Sequence, residues 1–527
     1  MKLKTILPVH HLSFTRVIFF SMCFIFASLH LKAQQNDRPN VVILYTDDLG
    51  YGDLSCYGAN AIATPHIDWL ADNGLRFTDA HCTASTCTPS RYSILTGQYA
   101  WRKKGTDILP GNANLTISTD ITTLPKVFQR VGYMTGAVGK WHLGLGNISP
   151  IDWNKKVIPG PAEIGFNYSF IFPATADRTP TVFMENQMVV GLDTSDPISV
   201  NYHKPFPGEL SGRDHPEMLK MKSDPTQGHD GHITNGIGRI GFMKGGTRAE
   251  WTDEELGYTF NTKAIEFIDH SLQAKKPFFL YYAIHDIHVP RMPATEFKGK
   301  SKLGYRGDAI LEMDHTVGVI LNALKERGLL NNTLIIFSSD NGPVLNDGYL
   351  DQSPETALRE DYRPGGIYRG GKYSVLEGGT HIPFIVYWSG KVKPHTVSSS
   401  LFSQVDLMAS FAEMLKEKLP SNEFTDSRDY FTTLIGTQNR NRNYIIEQPA
   451  NSSALAIVKD GWKYITPSNG PALMKQVNIE TGYDKEEQLY NIKENPEETY
   501  NLVKQFPEKT EELKLLLEKI KDEHEQQ

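Results

Sequence analysis

Apolar positions along this chain fall into short unbroken runs that stop in polar turns, with stretches of helical period between them. Residues 38–45 (RPNVVILY) form a β-branched run ending in Thr46-Asp47-Asp48-Leu49-Gly50-Tyr51-Gly52. Such a run predicts a buried strand feeding a loop. The texture recurs at 277–282 (PFFLYY), at 333–339 (TLIIFSS), which runs into Asp340-Asn341-Gly342, and at 382–388. Pro65 opens a helical pattern that stops at Asn73-Gly74, with proline at the first helical position and glycine past the end. A second short helix is expected over 124–131. Thr252-Asp253-Glu254-Glu255 reads as a capping box for a long helix reaching Ala274, and 308–326 is also expected to be helical. Alternating strands and helices predict an α/β fold.

The pattern breaks in three places. Between about 172 and 250 periodicity fades and Gly, Pro, His and Asp accumulate, as in the binding loops of compact enzymes. This segment holds a formal GxGxxG, Gly236 to Gly241, but no hydrophobic strand leads into it, which argues against a dinucleotide site. Beyond about 440 the chain shows a hairpin with an Asp460-Gly461 turn and a charged amphipathic helix over 507–523. The N-terminus carries Lys2, Lys4 and Arg16, then an apolar run from Val17 to Leu31 and Lys32-Ala33. That is the form of a secretory signal peptide cleaved near Ala33, too short for a stable membrane span. The expected organisation is a signal peptide over 1–33, a catalytic domain over 34–400, and a smaller α+β subdomain over 401–527.

Composition adds little for most of the chain and much for the cysteines. The 527 residues are 39% hydrophobic and 22% charged, with a net charge of −7 and no Lys/Arg run suited to nucleic acid. Of four cysteines, Cys23 leaves with the signal peptide. In an oxidising compartment the remaining three are odd in number. Cys56 and Cys82 are either a disulfide or two buried thiols, and Cys87 is left over.

Candidate chemistry sits at strand ends. Asp47-Asp48 and Asp340-Asn341 each terminate an expected buried strand, where functional groups collect in parallel α/β sheets. Three carboxylates and an amide suit a hard divalent cation rather than zinc. In Gly139-Lys140-Trp141-His142, an extended backbone would put Lys140 and His142 on one face, a pairing suited to an anion. His285 and His288 follow another strand and are candidate general acids. Arg369-Gly370-Gly371-Lys372 offers a lysine on a close-approaching backbone.

These parts occur together with Cys87-Thr88-Pro89-Ser90-Arg91 and Leu95-Thr96-Gly97, which resemble the signature of the sulfatase family of the alkaline phosphatase superfamily. A second signature, Gly132-Tyr133-Met134-Thr135 leading to Gly139-Lys140-Trp141-His142-Leu143-Gly144, is similar as well. The resemblance implies a large mixed, mostly parallel sheet sandwiched by helices, with a smaller C-terminal α+β domain. It implies that Cys87 is oxidised to Cα-formylglycine before folding by a maturation enzyme reading Cys-x-Pro-x-Arg. One hydroxyl of the hydrated aldehyde then attacks sulfur, and the other allows sulfate to be expelled.

By the same resemblance Asp47, Asp48, Asp340 and Asn341, with the modified Cys87, hold Ca²⁺. Arg91 stabilises the hydrated aldehyde, and Lys140, His142 and Lys372 surround the sulfate. His288, in a His-x-Pro context, protonates the leaving sugar oxygen, with His285 as the fallback. Asp177-Arg178 would bracket a sugar hydroxyl, as in sulfatases acting on 6-sulfated galactose or N-acetylgalactosamine. His285, His229 and His232 are further substrate-side candidates. Gln98 stands where the family often has arginine. The rival readings are a phosphatase or phosphodiesterase of the same superfamily, and a sugar-binding homologue with a dead site.

Overall fold

In strand β1 (Asn40–Thr46) every residue is buried, and alternate side chains serve opposite layers. Val41, Ile43 and Tyr45 join one core, while Val42 and Leu44 join another. This period of two is why an unbroken apolar run is needed: a strand covered on both faces has no polar side. The computed structural model describes residues 38–525, apart from 421–422, 424–425 and 451–453. The signal peptide expected over 1–33 lies outside the described residues.

β1 lies inside a ten-stranded sheet with β2 (Leu75–Phe77), β3 (Met134–Lys140), β4 (Tyr168–Phe172), β5 (Met184–Glu185), β6 (Met188–Val189), β7 (Phe278–Ala283), β8 (Thr333–Ser339), β9 (Phe384–Tyr387) and β10 (Thr396–Ser398). The order across it is β10-β2-β9-β8-β1-β7-β3-β4-β5-β6. The five central strands, β8 to β4, are parallel, and antiparallel strands flank them on each side. This is the large mixed sheet that the resemblance implied.

Helices cover both faces. One layer holds α1 (Pro65–Asp72), α4 (Leu256–Gln273) and α5 (Gly304–Glu326), which pack against Val42 and Leu44 through Ile67, Phe260 and Met313. The other holds α2 (Cys87–Thr96), α3 (Leu124–Arg130) and α6 (Leu407–Leu415), with Leu95, Phe128 and Phe411 against Ile43. α4 begins differently from expectation. Residues 253–255 form a single 3₁₀ turn, and the Thr252 side chain makes no capping bond. Asp253 is turned inward to Arg239, whose Nη2 donates at 2.5 Å.

The C-terminal region builds a separate four-stranded antiparallel sheet from β11 (Ile445–Glu447), β12 (Ala456–Lys459), β13 (Trp462–Ile465) and β14 (Gln488–Asn491). Helix α7 (Pro507–Glu525) covers it through Leu513, Leu517 and Ile520. Asp460 and Gly461 both have positive φ, as an Asp-Gly hairpin turn requires. The GxGxxG segment is a tight hairpin, with Ile233–Thr234 paired to Ile237–Gly238. Cys56 and Cys82 are free. Cys82 is engaged with the carbonyls of Ala84 and Thr380, and the Cys56 amide binds Asp68, so the disulfide alternative falls.

Candidate active site

The carboxyl ends of β1 and β8 lie side by side, with Thr46 opposite Ser339 in the parallel register. The next residues on each strand are therefore neighbours, and Asp47, Asp48 and Asp340 bring carboxylate oxygens within 4.8 Å of one another. All three are fully buried, as is Asn341. Asn341 Nδ2 donates to Asp48 Oδ1 at 2.8 Å, and its own Oδ1 is buried without a partner. Burial and the proximity of Asp340 push Asp47 well above the usual carboxylate range despite Lys140 beside it. Burial acts on Asp48 too, but Lys372 and His288 hold it below that range. A buried cluster of oxygen donors with one oxygen unsatisfied fits a hard divalent cation.

Helix α2 brings Cys87 to this cluster. Its first residue is Cys87, whose Sγ lies 3.6 Å from Asp47 Oδ1, and burial pushes the thiol pKa up. Arg91, one turn on along the same helix, donates through Nε to Asp340 Oδ2 at 3.0 Å and forms an ion pair with the same oxygen through Nη2 at 2.7 Å. All ten residues of α2 are buried, so it has no polar face to announce it as a helix in the sequence. Lys140, at the end of β3, forms a buried ion pair with Asp47. β3 ends there, and His142 has a φ of 52°, so a turn rather than strand alternation orients the imidazole.

Cys87 opens into a cavity of about 360 Å³, lined also by His142, Asp177, Arg178, His229, His288, Asp347, Lys372 and Tyr373. Lys372 Nζ donates to Asp48 Oδ2 at 2.9 Å and to Asp347 Oδ2 at 2.8 Å. Burial would lower its pKa, yet Asp347 and Asp48 keep it well above the ordinary lysine value. His142 Nε2 lies 2.9 Å from Leu109 O and 3.1 Å from Arg178 Nη1, which leaves Nδ1 buried and unpartnered. Burial, with Lys140 and Arg178 nearby, keeps this ring neutral.

His288 Nδ1 donates to Val289 O at 2.7 Å, which leaves Nε2 on the side of Asp48, 3.8 Å away. Burial and Lys372 lower its pKa to about 3. His285 is not a wall of the cavity: its ring packs on Phe172 and pairs with Asp286 at 3.1 Å. Asp177 is held by Thr175 and by His229 Nε2 at 3.0 Å, with Arg178 Nε 3.9 Å away. His232 is instead paired with Glu250 at 2.7 Å, outside the cavity.

The sequence reading did not single out Asp347, Tyr373 or the C-terminal residues Met474, Gln476 and Val477, all of which line the cavity. Asn346-Asp347-Gly348 reads as a turn, and Gly348 is one, with a φ of 93°. A Cβ there would stand 1.9 Å from His229 Nδ1, so the glycine is needed for His229 to reach Asp177.

This site and fold have known counterparts. The sulfatase family profile matches residues 39–417, and the chain belongs to that family. It is 49% identical, over 93% of its length and 94% of the relative's, to an N-acetylgalactosamine-6-O-sulfatase of Bacteroides thetaiotaomicron. Human arylsulfatase A is 30% identical over 78% of this chain and 71% of its own. Among solved structures, one from work on glycosaminoglycan metabolism by Bacteroides thetaiotaomicron superposes with a TM-score of 0.90 at 48% identity, covering 92% of this chain and all of that one. The protein is thus a sulfatase, and one of its relatives is named for removing sulfate from N-acetylgalactosamine.

Proposed function

We propose that this sulfatase removes the 6-O-sulfate of N-acetylgalactosamine or galactose in a sulfated glycan, after Cys87 has been converted to formylglycine. The observation that carries this reading is the placing of Cys87 between the Asp47–Asp48–Asp340 cluster and a cavity walled by Asp177 and Arg178. The 49% identity to an N-acetylgalactosamine-6-O-sulfatase supports the sugar.

Asp47, Asp48, Asp340 and Asn341 would hold Ca²⁺, which supplies Lewis-acid polarisation of sulfate oxygens and lowers the pKa of the hydrated aldehyde. The hydrated formylglycine supplies the nucleophilic oxygen and the second hydroxyl needed to expel sulfate. Arg91, fixed on Asp340, keeps the residue at position 87 oriented one turn away. Lys140, Lys372 and His142 Nδ1 would bind the sulfate oxygens, with hydrogen bonds that strengthen as charge builds there. His288 takes up a second proton as substrate binds and delivers it from Nε2 to the leaving sugar oxygen. Of the two candidates His285 and His288, it is the one on the cavity wall, whereas His285 is paired with Asp286. Asp177, fixed by His229, accepts from a sugar hydroxyl while Arg178 donates to a neighbouring oxygen.

Export through the N-terminal signal peptide accords with a polymeric extracellular substrate. Among the described residues no helix is long and apolar enough to cross a membrane. Two measurements test the proposal. The peptide spanning residues 85–91, isolated from the native host, should carry an aldehyde in place of the Cys87 thiol. In a screen of sulfated monosaccharides, 6-sulfated N-acetylgalactosamine and galactose should be turned over in preference to 4-sulfated ones. An intact thiol in active enzyme, or a preference for another position, would overturn the corresponding half.

A further inference from the structure

Asp347 lies at the cavity wall with both carboxylate oxygens engaged. Oδ2 accepts from Lys372 Nζ at 2.8 Å, and Oδ1 accepts from Tyr373 OH at 3.0 Å. The loop that carries both donors is pinned: Lys372 N donates to Pro343 O and Tyr373 N to Ser85 O. Tyr373 has a φ of 77°, a conformation that an aromatic residue keeps only when its surroundings impose it. Lys372 is thereby stretched between Asp347 and Asp48, and its third proton is left for the cavity. Asp48, Lys372, Tyr373 and His288 are the charged and titratable groups facing Asp347, and His229 packs on the adjoining Gly348.

The charge of Asp347 matters as much as its hydrogen bonds. With a divalent cation keeping Asp47, Asp48 and Asp340 ionised, these buried carboxylates and that of Asp347 stand against the buried cations Arg91, Lys140 and Lys372. One divalent cation and one sulfate monoester, which carries a single negative charge, bring that set to neutrality. A phosphate monoester above its second pKa, about 6, brings one negative charge too many. In a buried site little solvent screens the excess. We infer that Asp347 positions Lys372 and Tyr373 and, through its own charge, selects monoanionic sulfate esters over dianionic phosphate esters. This deepens the sulfatase reading of the same site and rests on it.

The test is Asp347→Asn, which keeps the shape and removes the charge. Turnover of an aryl sulfate and the matching aryl phosphate is compared with wild type across pH, with thermal unfolding as the control for folding. The sulfate kcat/KM is expected to fall about tenfold or more, and the phosphate-to-sulfate ratio to rise at least about tenfold, both being one pK unit's worth of interaction. The rise should grow above about pH 6, where the phosphate takes its second charge. Asp347→Glu should keep the wild-type ratio. Should the asparagine variant not fold, Asp347→Ser is read for the same ratio. An unchanged ratio with an unchanged pH profile, both activities falling together, overturns the inference and leaves the sulfatase reading intact. A wild type that prefers the phosphate ester overturns the sulfatase reading itself.

Discussion

Asn341 Nδ2 donates to Asp48 Oδ1 at 2.8 Å across the ends of two adjacent parallel strands, while its own Oδ1 is buried without a partner. An oxygen left unsatisfied beside three carboxylates is what a hard cation takes up. Chelation followed by desalting is therefore expected to abolish turnover and lower Tm, with Ca²⁺ restoring both. Asn341→Leu should weaken the calcium affinity, measured by titration calorimetry, by about 10–100-fold. Full activity and an unmoved Tm after chelation would count against a cation at this place.

On the proposed mechanism Cys87 marks the nucleophile position, 3.6 Å from Asp47. Cys87→Ala is expected to lose turnover to background. Cys87→Ser presents one hydroxyl only, so it should release at most one equivalent of product and accumulate a sulfated peptide. Mass spectrometry of the 85–91 peptide after incubation with substrate reads this directly. Steady multiple turnover by the serine variant would refute the need for a second hydroxyl.

Asp177 is buried on the cavity wall and held by Thr175 and His229. Asp177→Asn should raise KM for a sulfated sugar about 10-fold or more, the worth of a hydrogen bond to a charged group. The kcat/KM for an aryl sulfate, which offers no sugar hydroxyl, should stay within about threefold of wild type. Equal losses on both substrates would assign Asp177 to folding or to the chemistry.

A second buried charge cluster lies beneath the C-terminal sheet. Burial opposes a charge on His81, but Glu377, Asp79 and Glu447 outweigh it and raise its pKa to about 10. An unfolded histidine titrates near 6.5. The stabilisation is thus fully present below about pH 6.5 and is lost as pH rises through about 10. Burial also pushes Glu498 up to about 8, so it keeps its proton in the folded state and loses stability over part of the same range. Tm measured with calcium present should fall between pH 7 and 10, and His81→Asn should flatten the slope. A Tm that holds constant over that range would show the cluster is not protonated as inferred.

The parallel core was legible because a strand buried on both faces needs an apolar run with no polar side, as the middle of β1 (VVILY), the whole of β7 (FFLYYA) and the middle of β8 (LIIF) show. The acid pairs were legible for the same reason, since Asp47 and Asp340 break those runs abruptly. The roles of Cys87 and Lys140 came from a resemblance, because nothing in the periodicity marks a helix whose ten residues are all buried. Asp347 was hidden by its neighbours, as an Asn-Asp-Gly triplet is explained by turn chemistry alone. The C-terminal wall was not legible at all. Gln476 O accepts from Gln227 and Asn346, residues 249 and 130 positions away, and no local pattern encodes such a meeting.

The sealing of Cys87 has a consequence in time. Ser85 pairs with Gln448, whose own amide binds Thr83, and α2 packs beside α6, so the walls around this sulfur are made from chain synthesised more than three hundred residues later. At roughly 5–20 residues per second of elongation, that interval is tens of seconds. During it the CTPSR segment stands without the partners that bury it, and once Gln448 arrives the residue is only 2% exposed. The rate of synthesis thereby sets the deadline for any enzyme that acts on Cys87, and slower elongation should raise the fraction of chains modified.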